Sequence, residues 1–317
     1  IKEDAARKTA KEFEIKSYYT DYEELLEKET MDGVSVCTPN VLHKGPAISS
    51  MKHGFHVLVE KPMAGNLRDA KAMYYASRKY ERMLIVGFQT RFSPDIAALK
   101  HIVESRELGE IYYTRAIHLR RWGIPASPTF LDKALSGGGP LLDIGCYSID
   151  SVMHVLGYPR PKSVLGVTYT KFGKNRELAR KGSWGGPWKV DDFGVEDNAF
   201  AFVRYGDGSS MSFEVNWASF VKEEGLNLTF FGTKGGAQLR PLEMYKDIAG
   251  ARVRITPQDE FPKVDIYEKR ISAFVESIRK GKALLCPAIE GLKDQAILEA
   301  IYRSSELGRE VRIEWDF

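Results

Sequence analysis

Short apolar runs alternate with amphipathic stretches over the first hundred residues of the chain. The apolar runs predict buried strands over residues 33–38, 55–59 and 83–87. Helical spacing of apolar residues predicts helices over about 3–14, 42–53, 66–80 and 94–105, the third capped by Asn66. Alternation of strands and helices with short connections predicts a parallel sheet wound on both faces.

The pattern changes after Gly109. Residues 110–121 are long and extended, residues 136–157 are glycine-rich and then helical, and residues 162–256 are extended segments separated by turn signals. Gly206-Asp207-Gly208 predicts a hairpin turn. Because these strands follow one another without helices, we expect an antiparallel sheet, followed by helices over about 265–280 and 290–307. The chain thus divides into an α/β domain over 1–108 and an α+β domain over 109–317.

Residues 173–193 interrupt this second pattern. They carry Trp184, Trp188 and four glycines. A connection of this length is typical of a functional loop. We interpret it as a lid or as an oligomer contact.

Composition narrows the class of protein. The 317 residues are 43% hydrophobic and 28% charged, as in ordinary globular chains that span one or two domains. A net charge of +3 gives no reason to expect nucleic acid or an anionic membrane as a partner. The cysteines at 37, 146 and 286 form no CxxC motif, so a disulfide scaffold or a zinc cluster is disfavoured. We therefore expect a reducing, cytoplasmic location. The chain begins at Ile1 rather than Met, so any targeting segment would lie upstream.

Polar side chains follow each of the predicted parallel strands. Glu60-Lys61-Pro62 stands directly after the second strand, and Pro62 disfavours helix at Lys61. In wound α/β sheets, ligands bind at the carboxyl ends of strands. The pair is therefore either part of a ligand cleft or a solvated ion pair in a loop.

The exits of the neighbouring strands carry further candidates. Thr38, Pro39, Asn40 and His43 precede a helix whose free N–H groups favour a polar ligand; the alternative is a helix cap, with Asn40 as the N-cap and His43 on the surface. After the third strand, Gln89 and Arg91 can reach the same cleft, unless Arg91 lies on the surface.

A glycine-rich segment supplies a possible proton-handling pair. Gly137-Gly138-Gly139 precedes a helix on which Asp143 and Tyr147 are four residues apart and share a face. A purely structural hydrogen bond between the two is the alternative. The chain has no Gly-x-Ser-x-Gly elbow, and its histidines are too scattered to predict a metal site.

Taken in order, four motifs resemble the Gfo/Idh/MocA family of NAD(P)-dependent oxidoreductases. They are Thr-Pro-Asn with a following His, Glu-Lys-Pro about twenty residues on, Gly-Phe-x-x-Arg-Phe, and Gly-Gly-Gly before Asp-x-Gly-x-Tyr. The resemblance covers essentially the whole chain. It implies an N-terminal Rossmann domain and a C-terminal domain with a large, mostly antiparallel sheet that builds dimers or tetramers, with the last helices packing back on the first domain.

The resemblance also implies roles for the residues. Thr38, Pro39, Asn40, His43, Glu60, Lys61 and Gln89 would line the cleft for NAD or NADP. Lys61, Asp143 and Tyr147 would surround the reacting carbon. Tyr147 would act as acid and base, because the ammonium of Lys61 would lower its pKa from near 10. Arg91, Arg121 and Trp122 are candidates for the substrate pocket.

The chain departs from the family pattern in two places. Many members have His at the position of Tyr147. The Gly-x-Gly-x-x-Gly fingerprint is absent from the printed sequence and is expected within about 30 residues before Ile1. We therefore expect the chain as printed to bind a dinucleotide weakly.

The predicted activity is hydride transfer between a nicotinamide and a sugar, polyol or related cyclic hydroxy compound. Two alternatives remain on the same fold, which by itself does not define function. One is a non-catalytic dinucleotide-binding regulator. The other is a lyase or glycosidase in which the cofactor is oxidised and reduced within one turnover.

Overall fold

The computed structural model describes residues 2–281 and 285–315. These residues form two β-sheets with helices packed on them. The helices are α1 (Glu3–Glu12), α2 (Tyr22–Lys28), α3 (Lys44–Lys52), α4 (Leu67–Lys79), α5 (Pro94–Glu104), α6 (Pro128–Leu131), α7 (Lys133–Ser136), α8 (Cys146–Leu156), α9 (Arg176–Lys181), α10 (Ile266–Lys280) and α11 (Ala288–Leu307). The strands are β1 (Gly33–Val36), β2 (His56–Val59), β3 (Leu84–Val86), β4 (Ile111–Leu119), β5 (Pro161–Tyr169), β6 (Asn198–Tyr205), β7 (Ser210–Asn216), β8 (Gly225–Gly232), β9 (Gly235–Leu239), β10 (Glu243–Ile248), β11 (Ala251–Ile255) and β12 (Val311–Arg312).

The first sheet is parallel, as the strand–helix alternation predicts. Its strands lie in the order β1-β2-β3. The last residues of the three strands, Val36, Val59 and Val86, are buried and aligned with one another across the sheet. The segments that follow these residues therefore leave the sheet side by side, at the edge where wound α/β folds bind ligands.

The second sheet has nine strands in the order β11-β10-β9-β8-β4-β7-β6-β5-β12. Its neighbouring strands are antiparallel except for β4 and β7, which are parallel. The alternation of side chains along the strands gives the sheet one buried face, which includes Ala116, Phe213 and Leu228. The structure confirms the prediction of a Rossmann-type sheet followed by a large, mostly antiparallel sheet.

Helix α11 packs against both parts of the chain. It lies on β5, where the Oγ atom of Ser304 accepts a hydrogen bond from Gly166 N–H at 2.9 Å. It also contacts α4, and Glu299 accepts a hydrogen bond from the N–H of Leu67. The exact division of the chain at residue 108 stays a prediction.

Local structure differs from the sequence prediction in several places. The seven-residue helix α2 was not predicted, because only Leu26 of its side chains is buried and its pattern of apolar residues is weak. Residues 136–157 are helical after the glycines, as predicted, but the helix begins with a π-helical turn, Leu141–Gly145, that runs directly into α8. None of the described helices combines the length and apolarity that a membrane span requires.

The long connection 173–193 is packed against the body of the second domain. The carboxylate of Asp197 accepts hydrogen bonds from the backbone N–H groups of residues 171–173. The indole of Trp188 donates to the carbonyl of Gly173 and lies 6.3 Å from the ring of Trp122. These contacts fix the segment beside the loop that follows β4.

Candidate active site

A cleft of about 330 Å³ lies where the exits of β1 and β2 face the second domain. It is lined by Cys37, Thr38, Pro39, Asn40, His43, Glu60, Lys61, Thr129, Phe130 and Asp143. Most of the residues predicted for the cofactor cleft are therefore together. Gln89, on the 3-10 turn after β3, is buried behind them.

His43 joins the exits of the first two strands. Its ring is buried, with Nε2 2.8 Å from the carbonyl oxygen of Thr38 and Nδ1 3.1 Å from that of Pro62. Burial lowers the pKa of this imidazole. The interpretation of His43 as a surface residue is wrong: it holds the two segments that form one wall of the cleft.

Asn40 connects this wall to the second domain. Its side-chain amide donates a hydrogen bond to the carbonyl oxygen of Ser136, at the end of α7, at 2.8 Å. A 3-10 turn, Asn40–Leu42, precedes α3, and the side chain of Asn40 does not cap it. The alternative interpretation of Asn40 as an N-cap is therefore wrong.

Thr38 gives the cleft its clearest sign of a missing polar partner. Its hydroxyl oxygen is buried and has no hydrogen-bond partner among the described residues. Buried polar atoms are rarely left unpaired in proteins, and exceptions often mark the place of a ligand. A polar ligand held at the carboxyl end of β1, as a dinucleotide is in this fold, fits this hydroxyl.

Lys61 and Asp143, which line the cleft, form one cluster with Tyr147. The ammonium of Lys61 lies 2.6 Å from the backbone carbonyl oxygen of Asp143 and 3.1 Å from its Oδ1 atom. The same ammonium lies 4.6 Å from the centroid of the Tyr147 ring. The structure thus unites residues that are 82 and 86 positions apart, as the motif order implied.

The carboxylate of Asp143 is held from two sides. Its Oδ1 atom faces Lys61, and its Oδ2 atom accepts a hydrogen bond from the indole of Trp217 at 3.0 Å. Behind it, His118 on β4 lies 3.2 Å from the carbonyl oxygen of Ile144, and burial lowers the pKa of His118 to about 4. The imidazole is therefore neutral at neutral pH and donates its proton to that carbonyl.

The electrostatics of the cluster differ from the sequence expectation. Burial raises the pKa of Tyr147, and the charge of Lys61 and the hydrogen bond from Gln89 lower it by less. Burial is the largest single effect on Lys61 and disfavours its charged form, but the charge and hydrogen bond of Asp143 together with the neighbouring Cys146 and Tyr147 outweigh it and raise the pKa of Lys61. Lys61 is therefore a cation at neutral pH. Its charge lowers the pKa of Tyr147, as expected, but the pKa stays above its usual value because burial raises it more.

Arg270, on helix α10, sets the orientation of Gln89. Its guanidinium binds Glu60 Oε1 at 2.7 Å and donates to Gln89 Oε1 at 3.3 Å. A guanidinium can only donate, so the amide oxygen of Gln89 must face Arg270 and its NH₂ group must face the other way. That NH₂ group donates to the phenol oxygen of Tyr147.

Arg91 does not belong to the cleft. Its side chain and that of Asp150 are completely buried, and its Nε atom lies 3.0 and 3.1 Å from the two carboxylate oxygens of Asp150. Its Nη1 atom pairs with Glu290 on α11. Both interpretations of Arg91, in the substrate pocket or on the surface, are therefore wrong. The motif shows that Arg91 follows β3, but not in which direction its side chain points.

Arg121 and Trp122 also lie outside the cleft lining. The side chain of Arg121 is 64% exposed and pairs with Glu224 at 2.9 Å. The indole of Trp122 donates to the carbonyl oxygen of Gly182 at 2.9 Å and packs in the 173–193 segment. The structure thus does not support these two residues as a substrate contact.

Sequence reasoning missed several residues of the site. They are His118, Phe130, Trp217 and Arg270. Alternation along β4 offered a signal for His118, because Thr114 and Ala116 are buried and position 118 continues on the same face. Nothing local marks Arg270, which lies 210 residues from its partner Glu60. Among the described residues no group of three or more metal-ligating side chains occurs.

Comparisons with known proteins agree with this geometry. The fold and the cleft define an oxidoreductase with an NAD-binding Rossmann domain: residues 1–88 match the family described as "Oxidoreductase family, NAD-binding Rossmann fold". Residues 96–238 match the "GFO/IDH/MocA C-terminal domain". The chain belongs to the GFO/IDH/MocA family.

Named relatives include sugar-converting enzymes. The chain is 32% identical to D-glucoside 3-dehydrogenase of Escherichia coli, over 97% of this chain and 87% of that protein. It is 26% identical to levoglucosan dehydrogenase of Pseudarthrobacter phenanthrenivorans, over 73% of this chain and 60% of that protein.

A solved structure of similar fold is the aldose-aldose oxidoreductase from Caulobacter crescentus complexed with glycerol. It has a TM-score of 0.79 and 25% identity, and the match covers 98% of this chain and 89% of that one. A levoglucosan dehydrogenase complex with NADH and levoglucosan has a TM-score of 0.85 at 22% identity, covering 99% of this chain and 88% of that one.

Proposed function

We propose that this protein is a dehydrogenase or reductase that interconverts a secondary hydroxyl and a ketone of a sugar, polyol or related cyclic hydroxy compound, with NAD or NADP as the hydride carrier. One observation carries the proposal: the cluster of Lys61, Asp143 and Tyr147 at the mouth of a cleft formed by strand exits. A protein that only bound a dinucleotide would need none of the three side chains. The names of the sugar dehydrogenases among the relatives support the substrate class.

The cofactor cradle in this proposal is the wall formed by residues 38–43 and 60–61, with Gln89 behind it. Thr38 offers an unpaired hydroxyl, and His43 keeps the wall in shape. When bound, the nicotinamide supplies or accepts the hydride, and the protein contributes binding, orientation and electrostatics.

Tyr147 moves the proton in this proposal. Because Gln89 donates to the phenol oxygen, the phenol's own proton is free to point away from Gln89 towards a substrate. In oxidation the phenolate form takes the proton of the substrate hydroxyl, and in reduction the phenol returns it. Lys61, 4.6 Å from the ring, stabilises the phenolate form.

Lys61 and Asp143 also orient the substrate. The ammonium donates to hydroxyl or carbonyl oxygens, and the carboxylate accepts from a hydroxyl. Trp217 fixes the carboxylate, so its free lone pairs have a defined direction. This places the reacting carbon between the cofactor wall and Tyr147, the arrangement that hydride transfer requires.

The test is a screen of the full-length protein against sugars and polyols with NAD and with NADP, followed by absorbance of the reduced nicotinamide. We expect turnover by the wild type and a loss of about 100-fold or more in Lys61→Ala, because the variant lacks both the substrate donor and the charge beside Tyr147. Lys28→Ala is the control, since Lys28 forms an exposed pair with Glu24 on α2. Normal turnover by Lys61→Ala would mean that the cluster is not the active site.

The same screen separates the other two functions on this fold. A lyase or glycosidase that oxidises and reduces its cofactor within one turnover would convert substrate without net consumption of NAD or NADP. A regulator would bind the dinucleotide and convert nothing. Either result would replace the proposed function.

We also infer a homodimer or homotetramer formed through the open face of the large sheet, in the cytoplasm. Leu165 on β5 and Phe202 on β6 are directly paired across the strands, and both are more than 40% exposed. Exposed apolar side chains side by side on a sheet favour a protein partner. Sedimentation equilibrium of the full-length protein, compared with Phe202→Asp, tests the assembly. The free thiols of Cys37, Cys146 and Cys286 are consistent with a reducing compartment.

A further inference from the structure

Trp184 displays its indole to solvent at a fixed position. The residue is 64% exposed, although a ring of this size usually buries most of its surface. Trp is enriched at binding interfaces, because its ring combines a large apolar face with a polar N–H group.

Backbone hydrogen bonds fix the main chain that carries this ring. Trp184 and Gly185 are the central residues of a four-residue turn closed by the hydrogen bond from Gly186 N–H to the carbonyl of Ser183 at 2.9 Å. Gly185 has a φ of 91°, which a side chain would disfavour. The carbonyl oxygen of Trp184 also accepts from the N–H of Ala126 at 2.9 Å.

Two neighbours place the ring next to the cleft. The ring of Phe130 lies 6.4 Å from that of Trp184, and Phe130 lines the cleft together with Lys61 and Asp143. On its other side Phe130 packs edge-on against Trp217, which holds Asp143. The aromatic rings thus form a continuous wall from the Lys61–Asp143–Tyr147 cluster to the exposed indole.

A cation borders the exposed ring. The guanidinium of Arg120 lies 5.9 Å from the centroid of Trp184 and donates to the carbonyl oxygen of Gly123 at 3.0 Å. Arg has five N–H donors, so this single bond leaves donors for a ligand. An apolar face beside a set of donors matches the two sides of a sugar ring, which has a C–H face and hydroxyls at its edge.

We propose that Trp184 and Arg120 form a second subsite, which binds the unit attached to the reacting sugar. The substrate is then a glycoside, with a sugar or an aryl group beyond the ring that reacts at Tyr147, rather than a free monosaccharide. This inference rests on the proposed function. The indole stacks on the added ring, and the guanidinium binds its oxygens.

The experiment compares Trp184→Ala with the wild type on two substrates. One is the monosaccharide with the fastest turnover in the screen above, and the other is the phenyl glycoside of the same sugar. We expect kcat/KM for the glycoside to fall about tenfold or more, with less than a twofold change for the monosaccharide. Tyr112→Ala is the control, because Tyr112 is an exposed aromatic residue at the opposite end of β4.

Three results would overturn the subsite: equal losses on both substrates, no loss on either, or a change of oligomeric state in Trp184→Ala, which would make the ring a subunit contact. If the wild type oxidises no sugar with either cofactor, the proposed function fails. Calorimetric titration with phenyl β-D-glucoside and cellobiose then decides the subsite separately. Binding that Trp184→Ala weakens supports it, and no binding to the wild type refutes it.

Discussion

Two groups act on the phenol of Tyr147 in the same direction, against the effect of its burial. Burial raises the pKa of Tyr147, while Lys61 and Gln89 lower it. A catalytic acid and base works best when its pKa lies near the working pH. The side chains around the phenol therefore adjust its pKa, and the orientation of one of them, Gln89, depends on Arg270.

We expect Gln89→Met to shift the pH profile of substrate oxidation to more alkaline pH by about one unit. Methionine keeps the size of the side chain but removes the hydrogen bond that favours the phenolate, and such bonds to charged groups contribute about 1.5 to 3 kcal/mol. Because oxidation needs the phenolate, a higher pKa moves the rising limb to higher pH. The measurement is kcat/KM between pH 6 and 10.

The control for this prediction is Gln295→Met, which replaces a buried glutamine on α11. Its pH profile should match that of the wild type. A shift of the Gln89→Met profile to acid pH, or a rate equal to that of the wild type at every pH, would contradict the assignment of Tyr147 as the titrating group.

The positions of individual side chains in this site were harder to predict from the sequence than its helices and strands. The motif order identified Lys61, Asp143 and Tyr147, because the family pattern specifies their positions. It did not show that Arg121 turns away from the cleft. Successive side chains point in opposite directions at the end of a strand, and Arg121 pairs with Glu224 while Arg120 lies against the ring of Trp184.

At the scale of elements, a buried network joins α8, α11 and the turn after β3. Arg91 lies between Asp150 on α8 and Glu290 on α11. The phenol oxygen of Tyr158 lies 2.9 Å from Asp150 Oδ1 and 3.0 Å from Asp294 Oδ2, and Asp294 is buried. Burial and the neighbouring charge of Asp150 hold the pKa of Asp294 well above its usual range. The protonated form of Asp294 is therefore favoured in this network.

We expect Asp150→Asn to lower the free energy of unfolding by about 3 to 5 kcal/mol, since it removes the main partner of a fully buried cation. Asp294→Asn should cost less than about 1 kcal/mol, because an amide resembles the protonated carboxyl group. Urea unfolding of both variants at pH 7 checks the difference. Equal losses in the two variants would show that Asp294 also carries a charge needed by Arg91.

Elements with strong periodicity were predicted closely, and irregular ones were not. The helix over 94–105 is α5, Pro94–Glu104, and the strand over 55–59 is β2, His56–Val59. The π-helical turn Leu141–Gly145 was missed because its residues have an unremarkable apolar pattern. The turn depends on contacts distant in sequence, such as the carboxylate of Glu196 that accepts from Leu141 N–H.

At the scale of the whole molecule, folding favours the neutral form of two histidines, His118 and His154. Burial lowers the pKa of His118 to about 4 and that of His154 to about 3, and nearby arginines act in the same direction. An unfolded histidine titrates near pH 6.5. Between pH 6.5 and about 4 the unfolded chain therefore binds protons that the folded chain does not.

We expect these two histidines to lower the free energy of unfolding as the pH decreases from 7 to 5, whereas Asp294, with its raised pKa, acts in the opposite direction. Replacing the two histidines, as His118→Asn with His154→Gln, should therefore give a free energy of unfolding that falls less on acidification than in the wild type, because the unfolded variant lacks those protonation sites. Urea titrations at pH 7, 6 and 5 measure both slopes. Equal slopes in the wild type and the variant would contradict the prediction.

The general plan of the molecule was accessible from the sequence. Alternation of strands and helices indicated the parallel sheet, and consecutive strands without helices indicated the antiparallel one. The contacts between the two parts were not accessible, since they join residues such as Asn40 and Ser136 or Glu60 and Arg270 that no local pattern relates.

The π-helical turn before α8 has a consequence for how this site tolerates length changes. A π turn holds one more residue than an α turn, and each residue of an α-helix advances the direction of its side chains by about 100°. Asp143 lies inside the turn and Tyr147 just after it. Deleting one residue there, such as Ile144, would restore regular winding and keep α8 in phase, so that Tyr147 would still face Lys61 and Asp150 would still face Arg91, and the change would be confined to the turn that holds Asp143. Deleting one residue within α8 itself would instead rotate the rest of that helix by about 100°. The rotational phase of one helix thus links the chemistry of the cleft to the buried charge network behind it.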